Sequence, residues 1–260
     1  MTAVTYNRPI PPPSKLLLFG EGGRALGEAM LAVSLWPLLR LVPKGDGHSV
    51  LVLPGLVAAD DSTGLLRRYL RYRGYDVHGW GQGRNLGPRP GVEQGMADRL
   101  KKLADDSGRK VSIVGWSLGG IYARQLAAAH ADEIRSIITL GSPFVGSGHA
   151  TNAWRLYEVV SGRKSDDSDP SWQSVLPTPT MPTTSIYSRT DGVVAWQTSI
   201  EKVGPHSENI EVIASHLGLG VHPAVMYAVA DRLAQPEESW KPFDRSVFPG
   251  WIYPKPAQRG

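Results

Sequence analysis

One central, mostly parallel sheet with helices on both faces is the fold class this sequence predicts. Three observations carry that reading. Short continuous apolar runs recur along the chain, several of them closed by a turn containing Gly or Pro. Between them lie segments of about 10–15 residues with apolar positions at helical spacing, the pattern of βαβ units. The chain has 260 residues, 41% hydrophobic and 20% charged, which is enough for one large domain with a substantial core. Strands alternating with helices of this length imply crossovers that keep the strands parallel and cover the sheet on both sides.

The elements follow in order. The first 14 residues form a Pro-rich arm. The segment 15–42 holds a helix, clearest over 22–41, expected to be amphipathic and packed on the domain; a membrane-surface or partner-binding helix is the alternative. Val50 to Leu53 is an apolar run closed by Pro54-Gly55, suited to a strand buried on both faces. A helix over 62–73 follows, with Ser62 available to cap it and Gly74 after its end. Strands are expected at 75–80, 111–116, 134–140, 184–188 and 210–214, and helices at 92–104, 118–129 and 221–234. Residues 144–182 break the rhythm with a polar stretch and a Pro/Thr-rich stretch, and read as a cap or lid inserted over a site within a single domain. From Gln235 the tail is rich in Pro and aromatics, with Trp240, Phe243, Phe248, Trp251 and Tyr253 expected to anchor it.

Composition removes several classes of function. A net charge of +4 is mild for this length and does not indicate a nucleic-acid binder. The absence of cysteine removes disulfides, Cys-based zinc sites and thiol nucleophiles together. The N-terminus lacks the pattern of a secretory signal. The apolar stretch from Leu16 to Val42 is broken by Glu21, Arg24, Glu28, Pro37 and Arg40, whereas a membrane span needs about 20 mostly apolar residues. A cytoplasmic protein is the expectation. Arg67, Arg68, Arg71 and Arg73, with Arg84 and Arg89, read as a solvated basic face, with an acidic partner or anionic lipid as the alternative.

The chemistry centres on Gly115-Trp116-Ser117-Leu118-Gly119, a G-x-S-x-G pattern with a buried strand before it and an Ala-rich helix after it. The chain must turn sharply there, so residues two before and two after the serine approach closely and must be small. The turn lifts the Ser117 hydroxyl above the C-terminal edge of the sheet and aims the helix N-terminus at it. A serine hydroxyl needs a base. His216, in Ser215-His216-Leu217-Gly218, follows the last apolar strand on that same edge; His222 is second choice. The acid that would fix the imidazole is Asp191, after the preceding strand, giving the chain order Ser117, Asp191, His216. The oxyanion of a tetrahedral intermediate needs two backbone N–H donors. Leu118, directly after the serine, and Leu56, after Pro54-Gly55, are the candidates, since Pro54 cannot donate.

These residues resemble the α/β-hydrolase superfamily from Val50 to about Ala234. Together with the Gly83 to Pro88 loop, Gly141-Ser142-Pro143 and Asp191-Gly192-Val193-Val194, they look like bacterial esterases and lipases related to the triacylglycerol-lipase and PGAP1-like group. The resemblance implies a cofactor-free, metal-free carboxylic ester hydrolase working through an acyl-enzyme on a small-molecule ester or lipid. In one respect the chain departs from that pattern: where many relatives carry His-Gly after the oxyanion strand, it has Pro54-Gly55. Acyl transfer or thioester cleavage on the same triad is the second enzymatic reading, and a catalytically silent binding module the third. Trp116, Trp154, Trp172, Trp196 and Leu217 are the candidates to line an apolar acyl or aryl pocket. Asn85 is read as a structural turn residue within hydrogen-bonding range of the site.

Overall fold

The computed structural model describes residues 3–4, 10–164, 178–237 and 239–259. Its centre is a six-stranded, all-parallel sheet. The strands are β1 (Ser49–Leu53), β2 (Asp76–Gly79), β3 (Val111–Trp116), β4 (Ile134–Leu140), β5 (Thr183–Ser188) and β6 (Ser207–Val212), in spatial order β2-β1-β3-β4-β5-β6. β1 and β3 are buried at every position, which is why they read as mostly apolar runs rather than alternating ones. A short parallel ladder pairs Ala3–Val4 with Gln258–Arg259.

The helices are α1 (Lys15–Ser34), α2 (Trp36–Leu39), α3 (Gly64–Tyr72), α4 (Val92–Ser107), α5 (Leu118–Ala129), α6 (Trp154–Ser161) and α7 (Pro223–Leu233). Two cores flank the sheet. One packs Tyr69, Leu70, Val225 and Val229 of α3 and α7 against one face. The other packs Met96, Leu100, Ile121 and Leu126 of α4 and α5 against the opposite face. β5 and β6 begin earlier than the apolar residues suggest, because Thr183, Ser207 and Glu208 are buried polar residues inside the ladder.

Several local expectations are corrected. Ser62 does not cap α3: its hydroxyl donates to the Ala59 carbonyl (2.7 Å) inside a 3₁₀ turn over Asp60–Thr63. The basic residues of α3 do not form a solvated face throughout. Arg71 donates to the Val77 carbonyl, buried Arg73 to the Val42 carbonyl, and Arg67 to the Asp60 carbonyl and the Thr63 hydroxyl. In the tail, Phe243, Phe248 and Tyr253 pack together, and the Tyr253 hydroxyl donates to the Ala224 carbonyl. Trp251, by contrast, is 73% exposed and anchors nothing.

α1 starts at Lys15, seven residues before its clearest helical pattern, with Ser14 as its N-cap. Its orientation is the reverse of the usual amphipathic arrangement. Glu21 is buried, whereas Leu16, Phe19, Leu26, Met30 and Val33 point outward, Phe19 at 85% exposure. Among the described residues, no helix is long and apolar enough to cross a membrane.

Candidate active site

The chain reverses from β3 into α5 at Ser117, whose backbone sits at φ 53°, ψ −120°. This strained conformation is one that side chains other than Gly rarely adopt. Its neighbours explain how it is held. A Cβ on Gly115 would run into the Gly119 carbonyl, and one on Gly119 into the Leu53 carbonyl. The Ser117 N–H donates to the Leu140 carbonyl (2.8 Å), tying the elbow to the end of β4. The hydroxyl therefore stands at the C-terminal edge of the sheet, at the N-terminus of α5.

Asp191 and His216 come from the loops after β5 and β6. His216 Nδ1 lies 2.6 Å from Asp191 Oδ2. The other carboxylate oxygen, Oδ1, accepts from the Val193 and Val194 N–H groups (2.8 and 2.7 Å), which fixes its orientation. With a carboxylate against Nδ1, that nitrogen carries the proton and Nε2 is left as the base. Burial works against a charged imidazole here. The Asp191 charge and hydrogen bond outweigh it, helped by the charge of Glu21, and raise the His216 pKa above that of an ordinary histidine. The indole N–H of Trp116 donates to the His216 carbonyl (3.1 Å), so the residue before the nucleophile also fixes the residue carrying the base. Gly141 admits the pair: a Cβ there would lie 3.1 Å from Asp191 Oδ2 and 3.2 Å from His216 Nδ1. Among the described residues the Ser117 hydroxyl makes no hydrogen bond, so the relay is formed from Asp191 to His216 and open at its last link. Such links commonly tighten only when substrate binds.

Leu56 and Leu118 flank Ser117 at one cavity. Among the described residues neither N–H is taken up by a hydrogen bond. Val57, next to Leu56, is the other non-glycine residue with positive φ (53°) among those described. Asn85 holds this loop. Fully buried, it donates from Nδ2 to the Pro54 carbonyl (2.9 Å), its carbonyl accepts from Val57 N–H (2.7 Å), and its N–H donates to the Ala58 carbonyl (2.8 Å).

A similar chain of groups lies elsewhere. His48 Nδ1 is 2.5 Å from Asp46 Oδ1, its Nε2 is 2.9 Å from Ser112 Oγ, and Ser112 is 2.9 Å from Ser136 Oγ. This chain sits at the N-terminal end of the strands. Ser112 is fully buried inside β3, without an elbow or a helix N-terminus beside it. Burial, partly offset by Asp46, lowers the His48 pKa, and the group serves as a tie between β1, β3 and β4. His222 caps α7, accepting from Ala224 N–H, and is not placed as a base.

Residues 50–255 match the family model described as the alpha/beta hydrolase family. The chain belongs to the α/β-hydrolase family. Solved structures of similar fold include a pyrethroid hydrolase from Sphingobium faniae (18% identity, 74% of this chain and 99% of that one, TM-score 0.52). Another belongs to work on the metagenome-derived lipolytic enzymes LipS and LipT (15% identity, 69% and 89%, TM-score 0.51). A third is Aspergillus fumigatus lipase B (15% identity, 76% and 57%, TM-score 0.59). The comparisons reach the family and not the narrower lipase and PGAP1-like group.

In this α/β-hydrolase the cavity beside Ser117 is narrow, open to solvent, and walled by Leu56, Leu118, Ile121, Trp154, Tyr157 and Val194. Of the five pocket candidates, Trp154 is on that wall. Trp116 is buried and spends its N–H on the loop of His216. Trp196 does not line the cavity: it stacks on Tyr187 (5.9 Å) with the Arg189 guanidinium over it (4.2 Å), a structural role in the loop after Asp191. Leu217 is half exposed and also lies outside the cavity wall. Trp172 lies outside the described residues.

Sequence reasoning placed Asn85 as a turn residue near the site, without its bond to the Pro54 carbonyl, and missed one contributor. Glu21 left no signal at all, since its partners lie 171 to 196 residues away.

Proposed function

We propose that this chain hydrolyses carboxylic esters through an acyl-enzyme, with Ser117 as nucleophile, His216 as base and then acid, and Asp191 as the group that orients and charges the imidazole. The observation that carries the reading is the 2.6 Å bond between Asp191 and His216 at the sheet edge where Ser117 sits in its strained turn. Nε2 takes the Ser117 proton as Oγ attacks the acyl carbon. The Leu56 and Leu118 N–H groups stabilise the oxyanion, and Nε2 returns the proton to the departing alcohol. Water then attacks the acyl-serine by the same route and releases the acid.

The cavity favours small substrates. The space beside Ser117 is narrow and has apolar walls, which suits a short acyl or aryl group better than a long chain. Of the expected cap at 144–182, residues 165–177 lie outside the described residues; in this reading the part around α6 serves as the cap, supported by Trp154 and Tyr157 on the cavity wall. The test is a panel of p-nitrophenyl esters of graded length. Short esters should be turned over faster than long ones, and Ser117→Ala should reduce hydrolysis to background with the fold unchanged by circular dichroism. Retained hydrolysis in that variant defeats the assignment.

A further inference from the structure

The triad as read above does not account for a buried carboxylate that lies directly behind it. Glu21, on α1, is 3% exposed. Its Oε1 accepts from the N–H of Gly192 (2.8 Å) and of His216 (3.0 Å), and its Oε2 from the N–H of Leu217 (2.8 Å). Gly192 is the residue after the triad acid, and the other two donors are the triad base and its neighbour. One carboxylate thus joins both catalytic loops through their backbones. A buried carboxylate with three N–H donors is a satisfied group, and the satisfaction depends on these two loops being where they are.

The rest of α1 reinforces the grip. Arg24 donates to the Thr190 carbonyl (2.7 Å) and hydroxyl (2.8 Å), on the acid side. Glu28 accepts from the Ser215 N–H (2.8 Å) and hydroxyl (2.6 Å), on the base side. Positions 21, 24 and 28 share one helix face, so one rigid element holds both loops at three points. Close approach is built into the sequence. A Cβ on Gly192 would meet the backbone of Leu17 and Leu18 at 2.5–2.6 Å, and one on Gly218 would strike the Glu28 carboxylate.

We propose that Glu21 is a positioning residue of the hydrolase, which sets the separation and alignment of Asp191 and His216 from a helix outside the matched segment 50–255. The inference rests on the reading of Ser117, Asp191 and His216 as the triad. The charged groups facing the imidazole are then Asp191 from the acid loop and Glu21 from α1. Arg24 stands 3.9 Å from Glu21, and Glu28, also on α1, accepts from Ser215, the residue before His216. Both nearest groups are carboxylates, so removing the Glu21 charge lowers the proton affinity of His216.

The experiment compares wild type with Glu21→Gln and Glu21→Asp. Gln removes the charge and presents an NH2 to donors; Asp keeps the charge but falls short in reach. Expected for E21Q is a kcat lower by about 10- to 100-fold, since small misplacements of catalytic groups cost on that order, with KM changed far less. The acidic limb of kcat/KM should move to lower pH. The Nδ1 proton resonance of His216, followed by NMR, should titrate at lower pH than in wild type. E21D should lose kcat with a smaller shift of the limb, and it carries the same readouts if E21Q does not fold. A folded variant with wild-type kcat, pH limb and imidazole titration overturns the proposal. Failure of the ester-hydrolase reading is a separate outcome: wild type would be inactive and its Ser117 unlabelled by a fluorophosphonate, while the imidazole titration would still report on Glu21.

Discussion

At the scale of single residues, the site depends on side chains and dihedrals that each do one thing. Asp191 accepts two backbone N–H bonds on one oxygen and holds the imidazole with the other, so it cannot rotate without losing all three. Replacing it by Asn keeps the shape but offers an amide that permits the wrong tautomer. Asp191→Asn should lower kcat by roughly 10³- to 10⁴-fold with little change in KM, measured on a short p-nitrophenyl ester. The pH profile follows from the raised pKa of His216. The imidazole must be neutral to act as base. A raised pKa keeps it protonated to higher pH, so the acidic limb of kcat/KM should lie above about 6.5, the value for a free histidine. A limb below that value would contradict the charge balance described for the site. The placement of Ser117, Asp191 and His216 after strand ends was legible in the sequence because the strands before them could be read from their apolar residues, and because Gly115 and Gly119 flag the sharp turn. The strain at Val57 was not legible, since a β-branched residue at positive φ is contrary to local preference and is imposed by Asn85 from another loop.

At the scale of elements, the loop after β1 that carries Leu56 and the elbow after β3 meet because β1 and β3 are hydrogen-bonded neighbours, with Leu53 paired to Gly115. The loop itself has no regular structure and is shaped by the Asn85 bonds to Pro54, Val57 and Ala58. Asn85→Ala frees the Pro54 carbonyl from its partner and lets Leu56 drift from its aim. The expected outcome is a loss of up to about 3–4 kcal/mol in transition-state stabilisation, the typical worth of one oxyanion donor, read as kcat/KM against wild type. Unchanged kcat/KM would mean that Leu56 is not a donor. Strand bounds came through in the sequence residue for residue in β3 and β4, which begin and end on apolar residues and are followed by turn signals. The starts of β5 and β6 did not, because the ladder there is carried by Thr183, Ser207 and Glu208, which pattern as loop residues.

At the scale of the whole molecule, the family segment and the N-terminal helix are joined across the catalytic edge by polar contacts. Hydrophobic periodicity could not foresee this, since it assigns the apolar side of a helix to the interior. In α1 the contacts to both loops run through Glu21, Arg24 and Glu28, and the outward side carries Leu16, Phe19 and Leu26. Leu16→Ser, Phe19→Ser and Leu26→Ser should each change stability by less than about 0.5 kcal/mol, as ordinary surface substitutions do, and leave kcat untouched. Thermal unfolding and the ester assay check both statements. A tolerance scan along residues 15–34 should therefore read upside down at most positions: Leu16, Phe19, Leu26 and Met30 silent, Glu21, Arg24 and Glu28 unforgiving, and a hydropathy plot a guide to the wrong side of the rod.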